Sequence, residues 1–130
     1  MHKIASKPEN ICEIETIVHH LASKFSLCQE VKANLLISLT EAVNNAIIHG
    51  NGADENKYVH IHVLKDGSLL SVAIEDEGEG FNPKNLPDPT SPEYIECCGG
   101  RGVFLIHQLC DKVEYKKNGA RVEISFELPA

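Results

Sequence analysis

The spacing of the apolar residues changes part-way along the chain from a helical period to a strand period. Residues 9–26 and 29–49 carry apolar side chains at every third or fourth position, which predicts two amphipathic helices. Residues 59–63 and 70–76 alternate apolar with polar positions, which predicts two strands that each bury one face. Helices and strands with one apolar side are expected to pack in layers around a single core.

The second predicted strand is followed by a segment that has neither period. Residues 78–102 contain four of the six prolines, and so long an irregular segment in a small domain is usually functional, such as a lid over a ligand. A short apolar helix is predicted at residues 103–109, and a hairpin at 111–128 that turns at Asn118 and Gly119. This order predicts an α+β fold: a two-layer sandwich with helices on one face of a mixed, mostly antiparallel sheet.

Length, charge and cysteine content restrict the class of protein. A chain of 130 residues fits one domain, residues 1–130, and the net charge of −7 argues against a nucleic-acid partner, which would favour a basic patch. With no apolar run of about 18 residues and no apolar stretch at the N-terminus, neither a membrane span nor export is expected. The five cysteines lack zinc-ligand spacing, so reduced thiols of a cytoplasmic protein are expected, and only the adjacent pair Cys97-Cys98 leaves a redox role open.

The end of the second predicted helix carries two polar residues suited to nucleotide chemistry. Glu41 and Asn45 are four positions apart, so their side chains stack on one face of the helix. Asn34 and Ser38 are predicted to share that face. A carboxylate can accept a proton from an attacking hydroxyl, and an amide oxygen can bind a hard cation such as Mg²⁺. Two such residues on a helix more often belong to a solvated surface, so the interpretation of Glu41 and Asn45 depends on the surrounding residues.

Three neighbours on the same helix add to that interpretation. Ile37 and Ile48 lie on the side of Glu41, which predicts that something covers this face. His49 lies in the last turn, where it complements the helix dipole and is a candidate nucleotide contact. Gly50 is predicted to end the helix.

Residues 76–80 (Asp-Glu-Gly-Glu-Gly) follow the second predicted strand. Asp76 continues the apolar face of that strand, so its carboxylate is predicted to point toward the core, where it needs a partner. A buried carboxylate can accept a hydrogen bond from an exocyclic amine such as that of adenine. Gly78 and Gly80 remove side chains where a ligand ring would approach the backbone. A plain acidic turn is an equally good interpretation of these residues taken alone.

A second glycine-rich segment, residues 99–102, opens the predicted apolar helix. Free backbone N–H groups and the helix dipole at such an end attract anions, and Arg101 could add a charge-assisted contact to a phosphate. The segment follows a loop rather than a strand, so it is not a dinucleotide-binding fingerprint. The chain also has no P-loop motif and none of the motifs of the common protein kinases.

Taken together and in this order, the three elements resemble the N, G1 and G2 boxes of the GHKL ATPase superfamily, which includes gyrase and the histidine kinases. The resemblance covers residues 30–128. Residues 40–50 (Thr-Glu-Ala-Val-Asn-Asn-Ala-Ile-Ile-His-Gly) and 100–106 (Gly-Arg-Gly-Val-Phe-Leu-Ile) look closest to the bacterial anti-sigma-factor serine kinases. The resemblance implies a Bergerat-fold sandwich that binds ATP between its helices and its sheet.

Individual roles follow from the same resemblance. Asn45 is implied to coordinate Mg²⁺, Glu41 to act as general base, and Asp76 to bind the adenine amine. Further contacts to ATP are implied at glycines: Gly78 and Gly80 at the adenine, Gly100 and Gly102 at the phosphates. Relatives of this kind bind a sigma factor and use ATP to phosphorylate a serine of a STAS-type anti-anti-sigma partner.

Two other functions stay open from the sequence. The chain could hold ATP and sequester a partner without catalysis, although a pure binder would not need Glu41. It could also be the detached ATPase domain of a histidine kinase, although the dimerising helices of such a kinase are missing from the sequence. The strand face with His60 and His62 is a candidate homodimer surface.

Overall fold

The structure, a computed structural model, describes residues 2–52, 54–78, 106–117 and 120–128. Within them lies one five-stranded sheet, made of β1 (His2–Ala5), β2 (Tyr58–Asp66), β3 (Leu69–Glu75), β4 (Lys112–Lys116) and β5 (Arg121–Glu127). The strands are arranged in the order β1-β2-β3-β5-β4. Each described pair of neighbours is antiparallel, so the sheet predicted as mixed, mostly antiparallel contains no parallel pair among these strands. The predicted α+β fold is confirmed.

The helical elements are a 3₁₀ turn (Pro8–Ile11), α1 (Cys12–Lys24), α2 (Gln29–Asn45) and a π-helical turn (Ala46–Gly50) that continues α2. The two helices predicted from the apolar period are therefore present. A 3₁₀ turn precedes the first helix, and a π turn follows the second. In the π turn the N–H of Asn51 donates to the carbonyl oxygen of Ala46 at 2.8 Å, one residue further than in an α-helix. Turns of this kind occur frequently at functional sites, and this one directly follows Asn45.

The hydrophobic core lies between α1, α2 and one face of the sheet. The following side chains are fully buried or nearly so: Ile14 and Val18 of α1, Leu35, Leu39 and Val43 of α2, and Val59, Ile61, Leu70, Val72, Ile74 and Ile124 of the sheet. Burying each of them contributes about 1.5–3 kcal/mol relative to leaving it in water. The predicted alternation in β2 and β3 is confirmed, because every second residue from Val59 to Val63 and from Leu70 to Ile74 packs in this core.

The strand β1 was not predicted. Residues 2–5 pair with β2 at the edge of the sheet, where Ile4 lies opposite Val59 and is 2% exposed. Four residues with one core-facing side chain are too few to show a period, and only the pairing with β2 defines them as a strand. The first helix thus follows an edge strand, with the 3₁₀ turn between them.

The outer face of the sheet is covered by its own charged side chains. Glu75 pairs with Lys117 and with Arg121, and Nε of Arg121 donates to Glu123 at 3.0 Å. Beneath these long side chains, small residues on the same face are shielded from water: Ala73 and Ser125, each 6% exposed. Ser125 thus lies on the outer face of the sheet although its side chain is buried.

The C-terminal part agrees with the sequence prediction wherever it is described. Residues 106–109 are helical and include the buried Ile106, and β4 and β5 form the predicted hairpin. The turn of that hairpin at 118–119 and the predicted lid beyond Gly78 lie outside the described residues. In the part of the chain that is described, no helix has the length and hydropathy needed to cross a membrane.

Candidate nucleotide site

Glu41 and Asn45 lie on the last two turns of α2, where both are partly exposed. Neither side chain makes a hydrogen bond or ion pair with another described residue. Ser38, predicted on the same polar face, is instead fully buried. The correction has a simple geometric cause: Ser38 lies three residues after Leu35 and four before Ala42, so it belongs to the buried stripe of the helix.

Two apolar side chains flank Glu41 and Asn45. Ile37 is 42% exposed and Ile48 is 41% exposed, and these are the largest exposures among the described isoleucines. The described residues therefore leave this face uncovered, and the predicted cover stays a prediction. A face of α2 that combines a carboxylate, an amide and two exposed isoleucines differs from an ordinary solvated helix surface.

The π turn brings the end of the helix against the end of β3. A Cβ atom placed on Gly50 would lie 2.2 Å from Oδ2 of Asp76, and one placed on Gly78 would lie 1.9 Å from the carbonyl oxygen of Gly50. Both distances are impossible for real atoms, so both positions require glycine for this contact to exist. Gly50 is thus packed tightly against Asp76 and Gly78, which are far from it in the sequence.

The carboxylate of Asp76 is held in a defined orientation. Its Oδ1 accepts a hydrogen bond from the N–H of Gly78 at 2.9 Å, and its own N–H donates to the carbonyl oxygen of Ala120 at 2.8 Å. Burial raises the pKa of Asp76, and the neighbouring carboxylate of Glu75 raises it further. No described residue donates a hydrogen bond to Oδ2. A half-buried carboxylate with one oxygen still available can accept a hydrogen bond from a ligand amine.

The remaining candidate residues are placed as follows. His49 is exposed on the π turn and makes no hydrogen bond with a described residue. The others lie outside the described residues, in the range 79–105: Gly80, Gly100, Arg101 and Gly102. The structure therefore brings Asp76 and Gly78 together with the end of the helix that carries Glu41, Asn45 and His49.

Two residues of this group were not identified as site residues from the sequence. Gly50 was interpreted only as a helix stop, and its contact with Asp76 depends on how α2 packs on the sheet. Asn51 is 3% exposed, and its side chain bonds to Ser6, to the backbone of Tyr58 and to the backbone of Glu77. An Asn after a helix-ending Gly is a common turn signal, so the sequence offered no sign of this burial.

The thiols and possible metal ligands of the described residues are unremarkable in chemistry. Cys12, Cys28 and Cys110 are free, and burial raises the pKa of Cys110 to about 11, so this thiol stays protonated near neutral pH. The pair Cys97-Cys98 lies outside the described residues. Within the described ranges no three His, Cys, Asp or Glu side chains converge as a metal site.

Comparison with known proteins identifies relatives of the whole domain. Residues 4–126 match the family described as "Histidine kinase-like ATPase domain". The serine-protein kinase RsbW of Oceanobacillus iheyensis is 27% identical over 118 residues, which cover 86% of this chain and 75% of that protein. The anti-sigma F factor of Bacillus cytotoxicus is 34% identical over 84 residues, which cover 62% of this chain and 56% of that protein.

Solved structures agree on the architecture. The histidine kinase domain of a blue-light activated histidine kinase from Erythrobacter litoralis has a TM-score of 0.60 to this chain at 18% identity. The match covers 93% of this chain and 60% of that one. At this level of identity the likeness shows a shared fold.

Proposed function

We propose that this chain is an ATP-dependent serine protein kinase and anti-sigma factor in a partner-switching system. The chain belongs to the family of histidine kinase-like ATPase domains. The observation that carries the proposal is the contact of the Asp76 carboxylate with Gly50 and Gly78, at the end of the helix that bears Glu41 and Asn45. One end of this site suits a purine, and the other end suits the phosphates attached to it.

The adenine binds at Asp76. Oδ2 accepts a hydrogen bond from the exocyclic amine, since Oδ1 is already engaged by Gly78. Gly50 and Gly78 keep the carboxylate in place, because a side chain at either position would collide with Asp76 or with the carbonyl oxygen of Gly50. Gly80, which lies outside the described residues, is predicted to line the adenine pocket. A guanine ring presents a carbonyl where adenine presents its amine, so a carboxylate acceptor selects adenine.

The phosphates bind along the end of α2. The amide oxygen of Asn45 fits a Mg²⁺ ligand, because this ion takes few protein ligands and completes its shell with water and phosphate oxygens. Bound there, Mg²⁺ would neutralise charge on the phosphates. The sequence predicts that Gly100, Arg101 and Gly102 open a helix whose N–H donors and positive charge would suit the phosphates, and His49 adds a contact from the π turn.

The transfer step moves the γ-phosphoryl group of ATP to a serine of the partner protein. The serine oxygen forms a bond to the γ-phosphorus while the bond from that phosphorus to the β,γ-bridging oxygen breaks, and ADP leaves. Glu41 accepts the proton of the serine hydroxyl. The Glu41 carboxylate has no hydrogen bond to a described residue, so it is available for this role.

The partners follow from the relatives' names. A serine-protein kinase and an anti-sigma F factor are both similar to this chain, which supports a sigma factor and a STAS-type anti-anti-sigma protein as the two partners. We place the protein in the cytoplasm, where such partners act, and expect no direct contact with nucleic acid or membrane. A homodimer through the sheet face with His60 and His62 is part of the same proposal.

The test combines binding and transfer. Calorimetry with Mg²⁺ and ATP should show binding that Asn45→Ala abolishes and that Glu30→Ala, an exposed residue at the other end of α2, leaves intact. Labelled ATP should transfer its γ-phosphate to a STAS-type partner with its serine, and a partner with alanine there should stay unlabelled. Absence of labelled partner, with ATP bound normally, would support a non-catalytic binder, and labelling of a partner histidine would support a histidine kinase.

A further inference from the structure

Asn51 is a buried amide whose hydrogen-bonding groups are used on three sides. Its Nδ2 donates to Oγ of Ser6 at 2.8 Å and to the carbonyl oxygen of Tyr58 at 3.0 Å. Its Oδ1 accepts from the N–H of Glu77 at 2.7 Å. The residue follows the π turn, so these bonds tie the end of the α2 helix to the segment after β1, to the start of β2 and to the segment after β3.

The bond to Glu77 is the one that reaches the candidate adenine pocket. Glu77 lies between Asp76, which accepts the base, and Gly78, which lies against Gly50. All three N–H groups of this short segment are bonded: Asp76 to Ala120, Glu77 to Asn51, and Gly78 to the carboxylate of Asp76 itself.

Of these three bonds, only the one to Asn51 connects the segment with the helix end. The bond to Ala120 connects it to β5, and the bond from Gly78 is internal to it. The side chain of Glu77 adds an outer attachment, because it accepts from the N–H of Tyr58 at 3.2 Å and pairs with His60 at 3.0 Å. That attachment is exposed and joins the strands rather than the helix, so it does not set the distance between Gly50 and Asp76.

We propose that Asn51 is a positioning residue that sets adenine selectivity, by holding the helix end against the Asp76–Gly78 segment. This inference rests on the proposed function, because it assigns a role within the same nucleotide site. If Asn51 is lost, the N–H of Glu77 has no buried acceptor, and the segment can shift relative to Gly50. Asp76 then meets the base at a poorer angle, whereas the phosphate contacts of the α2 face are unaffected.

The experiment measures the ratio of the dissociation constants for GTP and ATP by competition against a fluorescent ADP analogue, in full-length protein. A merely structural role lowers the folded fraction and weakens both nucleotides by the same factor, so it leaves the ratio unchanged. Three variants are compared with wild type: Asn51→Ala, Asn51→Asp and Ser6→Ala. Asn51→Leu, which keeps the number and branching of the side-chain heavy atoms, replaces the alanine variant if that one does not fold.

Each variant has its own expected result. Asn51→Ala should lower the ratio about tenfold by weakening ATP binding. Asn51→Asp keeps the oxygen that accepts from Glu77 and should retain most of the selectivity at a lower Tm, because it loses the donors to Ser6 and Tyr58. Ser6→Ala removes one of the other bonds and should lower Tm without changing the ratio.

The outcomes separate this inference from the proposed function. An unchanged ratio in folded Asn51→Ala or Asn51→Leu would overturn the positioning role while leaving ATP binding in place. An equal loss of selectivity in Ser6→Ala would also overturn it, since general loosening would then be the cause. Wild-type protein that binds neither nucleotide would instead refute the proposed function.

Discussion

The two ends of the candidate site are built differently. At the adenine end, Asp76 and Gly78 are packed against Gly50, and Asn51 bonds the neighbouring backbone to the helix end. At the phosphate end, the side chains of Glu41 and Asn45 have no hydrogen-bond partner among the described residues and lie beside two exposed isoleucines. The fold itself therefore determines the adenine end, whereas the phosphate end offers side chains that are available for a ligand.

This difference suits a kinase that acts on another protein. Under the proposed function, the adenine end can be rigid because its ligand is always the same, and pre-organised polar groups bind without a further ordering cost. The phosphate end must admit a serine from a partner, so its side chains have to be reachable from solvent. Substitutions at the two ends should therefore separate catalysis from stability.

The largest effect is expected at the open end. Glu41→Ala should lower phosphoryl transfer at least about a hundredfold, because a positioned base contributes that much to proton transfer. Tm and ATP affinity should stay unchanged, since the side chain makes no bond to a described residue. Radiolabel transfer to the partner's serine, with Glu30→Ala as the matched control on the same helix, measures the effect. Undiminished transfer would exclude Glu41 as the base.

At the closed end, Asp76→Asn should have opposite effects on binding and stability. The raised pKa of Asp76 means that the folded state favours the protonated form, so this group stabilises the fold fully below its ordinary value of 3.8 and loses that contribution as pH rises. Asparagine, which is always neutral, should raise the Tm of the nucleotide-free protein at pH 7 and lose that advantage near pH 3. ATP affinity should fall more than about tenfold, because an amide accepts the base less well than a carboxylate.

Thermal melts at both pH values and ATP titrations would test these two effects together. A lower Tm for Asp76→Asn at pH 7 would show that the carboxylate stabilises the fold. An unchanged ATP affinity would show that Asp76 does not bind the adenine, and this end of the site would then lack its main proposed ligand contact.

A smaller effect is expected from steric crowding at the closed end. Gly50→Ala should cost about 1–3 kcal/mol of unfolding free energy, because its methyl group would overlap Asp76 and force the helix end away. Gly67→Asn, in the β2–β3 turn, is the control: it has open space and a φ of 61° that asparagine tolerates. Urea unfolding measures both variants. Equal costs would indicate that the contact between Gly50 and Asp76 is loose.

The smallest effect is expected on the outer face of the sheet, away from both ends. Glu114 pairs with Lys112 at 2.7 Å and lies near Lys116, but these side chains are exposed. Exposed ion pairs gain little because water and salt screen them. Glu114→Gln should leave Tm and ATP affinity unchanged within error. A clear drop in ATP affinity would mean that the outer face is coupled to the site, and the division into two ends would be incomplete.

Much of the fold and part of the site could be predicted from local patterns. The inward direction of Asp76 follows from its phase with Val72 and Ile74, and the structure confirms it, because the Asp76 side chain packs against Gly50 at the helix end. The placement of Ser38 was wrong because a polar residue at the border of a helix stripe can lie on either side of it. Glu41 and Asn45 were recognised by their spacing, and their roles stay predictions.

The sequence by itself determined the periods of the elements, and with them the layers, because each period depends only on neighbours along the chain. Only the tertiary structure decided that Gly50 contacts Asp76 and that the buried side chain of Asn51 connects three segments by hydrogen bonds. Its three side-chain partners are 45, 7 and 26 residues away, on separate segments. No local pattern specifies such a set, since it exists only after the helix end has packed against the sheet.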